Sequence, residues 1–457
     1  MHIVHVSAEC TPIAKAGGLG DVVQGLCKAL HKMGQRVEII LPFYDSIDRT
    51  QLKNLKVERT ILLSSESLGE CQNRIWSATA DGLTLFLIEP ENNYFKRNTI
   101  YGEKDDIDRF IYFSWISLEF LLQRKLPIDI LNLHDWMTSL MAPLYHEVYK
   151  PLGLHIGGIM TSLHNLQYQG LCQPSNLDLL GARGKTLLQK QALVDPHKKN
   201  HINLLKGGII YSDLLTTVSP TYAKEIIKDN GFGLESLLNE HKNKLYGILN
   251  GIDTEYWDPE IDPYLEKKYP TDFSKLSKIH MGKKANRETI STLFKMKYKE
   301  DPLFICITRL VHQKGPKLIR QGIEYVLENN GQFILLATTP DPNLKEEFLE
   351  LQKRYKDNPN LYFHFEFNEK LAHLTFAAGD YILVPSLFEP CGLTQIIGLR
   401  YATTPIVHAI GGLIDTVFDI EHSKVPLEMK NGYTFESPTK ESLEGAMVRA
   451  FADFKTN

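Results

Sequence analysis

The sequence predicts an α/β protein with two doubly wound domains, each built on a parallel sheet. Short apolar runs rich in Ile, Leu and Val alternate with helical patterns, as expected where parallel strands are buried on both faces. This alternation occurs twice, on either side of a segment rich in Asn, Gly and Lys at 229–250. The length of 457 residues allows about three domains, and α/β proteins often use fewer and larger ones.

The composition is that of a globular protein with a large core, since 43% of the residues are hydrophobic and 23% are charged. The chain has 51 Lys and Arg residues against 55 Asp and Glu residues, a net charge of −4. This balance argues against a nucleic-acid surface and against electrostatic attachment to a membrane. We therefore expect no nucleic-acid partner and no membrane partner, and we expect local basic clusters to bind specific anions.

The cysteines and the first residues indicate a cytoplasmic protein. The six cysteines are spread along the chain without a CxxC pair, which is typical of reduced thiols rather than of a disulfide framework or a zinc site. No run approaches the roughly 18 apolar residues of a membrane span. The opening sequence, MHIVHVSAEC, lacks the basic and apolar regions of a signal peptide.

A strand, a glycine turn and a helix open the first domain. The strand is predicted at residues 2–7, and the turn is predicted at 15–21, KAGGLGD. The pattern from Asp21 to Gly34 predicts an amphipathic helix. The glycine spacing is not GxGxxG, so it does not support a dinucleotide fingerprint. Lys15 lies beside the turn and can pair with a phosphate.

Polar side chains follow two predicted strands of the first domain. His134 and Asp135 come directly after the strand at 128–133, and His164 follows the strand at 156–163. Open α/β sheets bind ligands at the carboxyl ends of their strands. One histidine at a strand end is usually structural, but two such ends predict a shared cleft.

A long polar loop at 91–108 also carries candidate residues. Tyr94 and Phe95 can stack on the face of a sugar. Asp106 and Asp108 form a DxD pattern, which holds a metal ion in some transferases. Acidic residues at this position also stabilise the start of a helix, and we favour that interpretation.

The second half of the chain repeats the alternation of strands and helices. A strand-like segment at 209–218 precedes a hinge that we expect near 243, which gives domains 1–243 and 244–457. The lysine-rich stretch at 258–300 predicts a solvated helical face. The strands predicted for the second domain are 303–308, 333–338, 361–367, 381–386 and 404–409.

The stretch ILVPSLFEPCGLTQ at 382–395 carries the strongest signal for a ligand site. A buried strand ends at Pro385, and a helix N-terminus is predicted at Leu393 and Thr394. Free N–H groups at such a terminus can bind a phosphate, while Glu389 can accept a hydrogen bond from a hydroxyl group of the same ligand. The alternative is an ordinary turn in which Glu389 is merely solvated.

The chain resembles the bacterial glycogen synthases and the plant starch synthases. The motifs KAGGLGD, LHDW, LHNLQYQG, LNGID, TRLVHQKG, VPSLFEPCGLTQ and GGLIDTV occur in the order found in that family, over roughly residues 1–450. The resemblance implies two Rossmann-like domains facing across a deep cleft, the GT-B fold of retaining glycosyltransferases. It implies transfer of glucose from ADP-glucose to the non-reducing end of an α-1,4-glucan, such as glycogen or a malto-oligosaccharide. It also implies retention of the anomeric configuration, with no metal and no other cofactor.

Matching the motifs assigns several residues of the first domain. Lys15, Gly17 and Gly18 would lie by the diphosphate and the sugar. Asp21 is the acidic residue that follows the glycine motif, and Tyr94 falls on an aromatic position near the sugar.

The histidine motifs and the hinge motif extend this assignment. Asp135 and His164 would face the transferred glucose as catalytic residues, and Asn165 belongs to the same binding motif. Asn250 would lie near the cleft by the hinge.

The second domain would supply the remaining catalytic residues. Arg309 and Lys314 match the basic pair that holds the two phosphates, and Glu389 matches the carboxylate that hydrogen-bonds the glucose. The binding residues beside this carboxylate would be Cys391, Gly392, Leu393 and Thr394.

Several positions depart from the family pattern. The sequence ATTPDP at 337–342 replaces a glycine-rich turn, and Leu387 replaces a basic residue, so UDP-glucose is an alternative donor. Ile397 stands where related transferases place a second acidic residue, which excludes a double displacement through that position. A glucan-binding or nucleotide-sugar-binding protein without turnover is the alternative from another functional class.

Overall fold

The computed structural model describes residues 1–366 and 368–456. The chain divides into two compact units, Met1–Gly251 and Ile252–Asn457. The division therefore falls after the expected position near 243. The difference arises because a short strand at Leu245–Gly247 still pairs with the sheet of the first unit.

The first unit is built on a nine-stranded sheet with the order β11-β10-β7-β6-β1-β2-β5-β4-β3. The strands from β11 to β5 in this order run parallel, and the long β3–β4 hairpin is joined to β5 in antiparallel orientation. Strands β8 and β9 form a separate antiparallel pair. The strands are β1 (His2–Val6), β2 (Arg36–Pro42), β3 (Lys53–Ser65), β4 (Gly69–Ala80), β5 (Leu83–Pro90), β6 (Ile128–His134), β7 (Ile156–Leu163), β8 (Leu171–Cys172), β9 (Ile202–Asn203), β10 (Leu214–Thr217) and β11 (Leu245–Gly247).

Helices cover this sheet, and one of them forms much of its core. Helix α2 is apolar on most sides, and its Phe110, Trp115 and Phe120 are fully buried. A helix that is apolar all round has to be buried, which explains its place inside the unit. The helices are α1 (Gly18–Lys32), α2 (Asp106–Arg124), α3 (Trp136–Ser139), α4 (Met141–Leu144), α5 (Ala182–Leu188), α6 (Leu204–Tyr211), α7 (Pro220–Glu225) and α8 (Glu235–Glu240).

The structure corrects one prediction for the first unit and adds a hairpin that the sequence interpretation missed. The segment 209–218 is not one strand, because its first residues complete helix α6 and only Leu214–Thr217 joins the sheet. The β3–β4 hairpin was not predicted. Only scattered positions of β3 are buried, so its sequence lacks the continuous apolar run that marks a central parallel strand.

The second unit is a six-stranded, fully parallel sheet with the order β14-β13-β12-β15-β16-β17. Its strands are β12 (Leu303–Arg309), β13 (Gln332–Thr338), β14 (Leu361–His364), β15 (Tyr381–Val384), β16 (Thr404–His408) and β17 (Tyr433–Phe435). Its helices are α9 (Leu276–Leu293), α10 (Pro316–Glu328), α11 (Pro342–Arg354), α12 (Glu369–Ala378), α13 (Thr394–Arg400), α14 (Gly412–Thr416) and α15 (Lys440–Thr456).

Both faces of this second sheet are covered, as a doubly wound fold requires. Successive residues of β12 point to opposite faces: Phe304 packs in one apolar cluster and Ile305 in the other. Helices α10, α11 and α15 cover the first face, and α9, α12, α13 and α14 cover the second. The predicted doubly wound fold is therefore confirmed for this unit.

The five predicted strands of the second unit are all found: β12 and β13 are one residue longer than predicted, and β14, β15 and β16 are shorter. The predicted strand at 361–367 is observed as Leu361–His364, and Phe367 lies outside the described residues. In the lysine-rich stretch, only Leu276–Leu293 forms an α-helix. Among the described residues, no helix is both long enough and apolar enough to cross a membrane.

Candidate active site

A lysine and a glutamate meet at the carboxyl end of the second sheet. Lys314 lies in the turn after β12, and Glu389 lies in the loop between β15 and α13. Lys314 Nζ donates to Glu389 Oε2 at 2.5 Å, and Ser386 Oγ donates to the same oxygen at 2.8 Å. Only 6% of the Glu389 side chain is exposed, against 20% for Lys314. The pair is therefore held in a largely dry environment, where charges act strongly on a ligand.

The loop that carries Glu389 is fixed by three hydrogen bonds, two to Gln313 and one to Gly412. The backbone N–H of Leu387 donates to Gln313 O at 2.8 Å, and Gln313 Nε2 donates to Phe388 O at 3.2 Å. The N–H of Gly412, at the start of α14, donates to Glu389 O at 2.9 Å. These contacts hold the carboxylate before any ligand binds, as a preorganised site requires.

Backbone N–H groups lie beside this carboxylate. Gly392 has φ of +75°, a left-handed backbone conformation that residues other than glycine rarely adopt without strain. A Cβ at this position would also collide with the side chain of Gln395. The N–H groups of Gly392 and Leu393 donate to no acceptor within residues 1–366 and 368–456. Thr394 is the first residue of α13, while Cys391 is buried. Such N–H groups can donate hydrogen bonds to an anion.

Arg309 is the last residue of β12 and is exposed at the sheet edge. Lys314 follows it after one short turn. Both cations thus extend from the same strand end, which suits two charged groups of one ligand such as a diphosphate.

In the first unit, the glycine turn is organised by a residue that the sequence interpretation missed. Glu9 accepts hydrogen bonds from the N–H groups of Ala16 and Gly17 at 2.6 and 2.7 Å, and from Tyr101 Oη at 2.8 Å. Lys15 Nζ donates to Asp21 Oδ1 at 2.8 Å. Helix α1 begins at Gly18, directly after this turn and earlier than the expected start at Asp21. An acidic residue six positions before the turn was too weak a sequence signal to identify.

Asp135 and His164 come together at the ends of two adjacent parallel strands, as their strand-end positions predicted. Asp135 Oδ1 accepts the backbone N–H of His164 at 2.7 Å and that of Asn165 at 3.4 Å. Asp135 itself has φ of +57°, an unusual conformation for a residue other than glycine. Burial raises its pKa from 3.8 to about 7, against the opposing effect of the two N–H donors.

A row of three histidines extends from this point into the sheet. His134 Nδ1 lies 3.0 Å from His164 Nε2, and His134 Nε2 lies 3.1 Å from His5 Nδ1. His134 was predicted as one of two strand-end histidines, but His5 was missed. Its strand, HIVHV, places two histidines among Ile and Val residues, and this pattern does not distinguish a buried polar contact from an exposed one.

The structure corrects one aromatic prediction. Phe95 is fully buried and packs edge-on against Tyr44 and Phe113, so it cannot stack on a sugar. Tyr94 is only partly buried and keeps the predicted position in the polar loop. Asn250 follows β11, close to the end of the first unit.

The DxD pattern has structural partners. Asp106 accepts from Arg109 Nη2 at 2.7 Å, and Asp108 accepts from Asn176 Nδ2 at 2.8 Å. Both lie in the first turn of α2, which supports their role at a helix start. Within the described ranges, no group of three or more His, Cys, Asp or Glu residues has an arrangement suited to a metal ion.

The fold and these charged groups define a glycosyltransferase with two Rossmann-like domains, of the GT-B class. The model of the family described as starch synthase catalytic domain matches residues 2–240. Together with full-length relatives at about 40% identity, this match shows that the chain belongs to the starch synthase and glycogen synthase family.

The chain is similar to a glycogen synthase of Protochlamydia amoebophila, with 43% identity over 98% of this chain and 91% of that protein. It is 41% identical to a probable starch synthase 4 of Arabidopsis thaliana, over 100% of this chain and 44% of the longer plant protein. The solved catalytic domain of Arabidopsis starch synthase IV, bound to ADP and acarbose, superposes with a TM-score of 0.95 at 40% identity. That match covers 100% of this chain and 92% of the solved one.

Proposed function

We propose that the protein transfers glucose from ADP-glucose to the non-reducing end of an α-1,4-glucan, with retention of the anomeric configuration. The bacterial relatives carry the name glycogen synthase, and the plant catalytic domain was solved with ADP and acarbose. The observation that carries the proposal is the ion pair of Lys314 and Glu389 beside the free N–H groups of Gly392 and Leu393. It combines cation and amide donors for a diphosphate with an acceptor for a sugar hydroxyl group.

The second unit would bind the donor. As the bond between the anomeric carbon and the diphosphate oxygen breaks, negative charge grows on that oxygen, and fixed cations lower the barrier. We assign this role to Arg309 and Lys314, with the N–H groups of Gly392 and Leu393 as further donors. Glu389 accepts a hydrogen bond from the glucose and also keeps Lys314 in place. Cys391 and Thr394 belong to the same loop.

The first unit would hold the transferred glucose and the acceptor. We assign Asp135, His164 and Asn165 to the glucose, since they follow adjacent parallel strands. Lys15, Gly17, Gly18 and Asp21 form the glycine turn that we place by the donor, with Tyr94 on the sugar. Asn250 is assigned to the same ligand.

The transfer itself is proposed to occur on one face of the sugar. The acceptor 4-hydroxyl oxygen bonds to the anomeric carbon as the diphosphate leaves, and its proton passes to the departing phosphate oxygen. Retention through a covalent intermediate would need a carboxylate nucleophile, and Ile397 supplies none at the expected position. Trapping of a covalent glucosyl enzyme would contradict this step.

Two alternatives follow from particular features. The turn after β13 differs from the glycine-rich turn of the family. Strand β13 ends at Thr338, and Asp341 caps α11 by accepting from the N–H groups of Asn343 and Leu344. Because this turn departs from the family pattern for the nucleotide, UDP-glucose is a second candidate donor. A binding protein without turnover is the other alternative. All six cysteines are free, which is consistent with the cytoplasm as the proposed location.

Nucleotide release tests the proposal. ADP and UDP release would be measured from each nucleotide-glucose, with and without glycogen, for the wild type, Glu389→Ala and Glu346→Ala. Glu346 is exposed on α11 and serves as the matched control. We expect glycogen-dependent ADP release that is lost only in Glu389→Ala. UDP release alone would establish the other donor, and glucan binding without release from either donor would favour the binding protein.

A further inference from the structure

Three imidazoles, two of them buried and the outermost partly buried, form a continuous hydrogen-bonded row across the first sheet. They lie on adjacent elements, since β1 pairs with β6 and β6 pairs with β7. His5 is in β1, His134 ends β6, and His164 follows β7. The ring centroids are 5.4 Å apart for the first pair and 5.2 Å for the second. The proposed function uses only the last ring, so the other two need an explanation.

The row is uncharged near neutral pH. Burial lowers the pKa of His5 and of His164 to about 4, and it holds the pKa of His134 well below its usual range. A neutral imidazole has one N–H donor and one acceptor nitrogen. Each hydrogen bond in the row therefore fixes the next, and the three rings share only two possible arrangements of their hydrogens.

Asn132 selects one of these arrangements. Its Nδ2 lies 3.3 Å from His5 Nδ1, and its Oδ1 accepts from Ser162 Oγ at 2.9 Å. An amide nitrogen only donates, so this contact is a hydrogen bond only if His5 Nδ1 accepts. His5 then carries its hydrogen on Nε2, a buried atom with no partner among the described residues. His134 then donates from Nε2 to His5 and accepts at Nδ1.

The selected arrangement defines the outermost ring. His164 donates from Nε2 to His134 Nδ1, so its own Nδ1 carries a lone pair. Within residues 1–366 and 368–456, His164 Nδ1 has no hydrogen-bond partner. Its backbone is held separately by Asp135 Oδ1 at 2.7 Å.

We propose that His134, supported by His5, is a positioning residue that holds His164 as the Nε2–H tautomer and directs its Nδ1 toward a hydroxyl group of the sugar. The sugar as ligand rests on the proposed function, but the tautomer does not. A ring held this way accepts a hydrogen bond without first reorienting, which lowers the barrier of the transfer step.

A matched pair of amide substitutions tests the role of His134. The side-chain amide of His134→Asn takes the place of the imidazole Nδ1 and can still contact His164. The longer side chain of His134→Gln places its amide where Nε2 was, on the side of His5. We expect His134→Asn to keep most of kcat and His134→Gln to lose about tenfold to a hundredfold, the range found on removing groups that orient metal-binding histidines. The KM for ADP-glucose should change little in both. In a His164→Ala background the two variants should have equal kcat, because the coupling runs through His164.

The ¹⁵N NMR spectrum of histidine-labelled protein gives a readout that does not depend on activity. We expect His164 as the Nε2–H form in the wild type and in His134→Asn, and a mixture of tautomers in His134→Gln. An Nδ1–H form in the wild type, or an unchanged His164 signal in folded His134→Gln, would overturn the proposal. If His134→Gln does not fold, His5→Asn and His5→Gln provide the same comparison at the contact between His5 and His134. Absence of nucleotide release in the wild type would refute the proposed function and leave this test intact.

Discussion

At the scale of single residues, the Lys314–Glu389 pair combines two roles. A carboxylate with 6% of its side chain exposed is costly to bury unless a cation and a hydroxyl group satisfy it, and Lys314 and Ser386 do so. The same lysine is the proposed donor to the leaving phosphate. A substitution at this position therefore affects both the stability of the loop and the chemistry.

We expect Lys314→Ala to lower kcat by about a hundredfold or more, the usual cost of losing one donor to a developing anion. Lys317→Ala is the control, because Lys317 is exposed three residues further on. Nucleotide release measures kcat, and circular dichroism shows that each variant is folded. A folded Lys314→Ala protein with near-normal kcat would contradict the assignment.

Asp135 makes stability depend on pH with a defined sign. Its pKa of about 7 in the folded protein lies above the ordinary value of 3.8, so the folded state binds the extra proton between these values. The contribution to stability is therefore greatest at low pH and is lost as the pH rises through about 7.

The variant Asp135→Asn removes this titration. We expect the free energy of unfolding of Asp135→Asn, minus that of the wild type, to increase from pH 5 to pH 8 by on the order of 1 kcal/mol or more. Thermal melting at both pH values measures the difference, with exposed Asp178→Asn as the control. An equal difference in melting temperature between Asp135→Asn and the wild type at pH 5 and at pH 8 would show that Asp135 is not buried as described.

At the scale of elements, close approaches of backbone fix the site loop. The start of α14 packs against the loop that carries Glu389, and a Cβ on Gly412 would lie 2.7 Å from Cys391 O and 2.8 Å from Pro390 O. Only glycine fits such an approach. The sequence predicted the helix N-terminus after Glu389 but not the contact between that loop and α14.

We therefore expect Gly412→Ala to displace the loop and to reduce kcat strongly. Gly445→Ala is the matched control, since Gly445 is exposed in α15 with nothing within 4 Å of an added Cβ. That control should stabilise the protein by roughly 0.5–1 kcal/mol, the helix preference for Ala over Gly. Steady-state kinetics and thermal melting of both variants give the comparison, and equal kcat for the two would show that the loop tolerates the extra atom.

At the scale of the whole molecule, each unit has its own sheet and its own apolar clusters. The first unit extends beyond 243 because β11 pairs with β10. Lys244 adds to this end by donating to Ile210 O at 3.1 Å and to Ser212 O at 2.6 Å. Residues that looked like a linker in the sequence therefore complete the sheet.

This boundary predicts the behaviour of fragments. A fragment of residues 1–251 should be soluble and unfold cooperatively, as expected for a domain with its own core. A fragment of residues 1–243 should melt at a lower temperature, because it loses the pairing of β11 and the contacts of Lys244. Circular dichroism during heating compares the two fragments. Equal melting temperatures would place the end of the folded first domain near residue 243.

The sequence by itself determined the α/β class and the family, and it supplied most of the residues that we propose for the site. Strand, turn and helix patterns are local, and Glu389, Lys314 and His164 lie in contiguous motifs, so a single stretch identifies each of them. Only the tertiary structure decided the strand order, the burial of Phe95, the contact of Glu9 with the glycine turn and the histidine row. His5 and His134 are 129 positions apart in the chain, and their contact depends on which strands pair. Local preferences do not encode such pairings, because a contact between distant residues forms only when the whole sheet assembles.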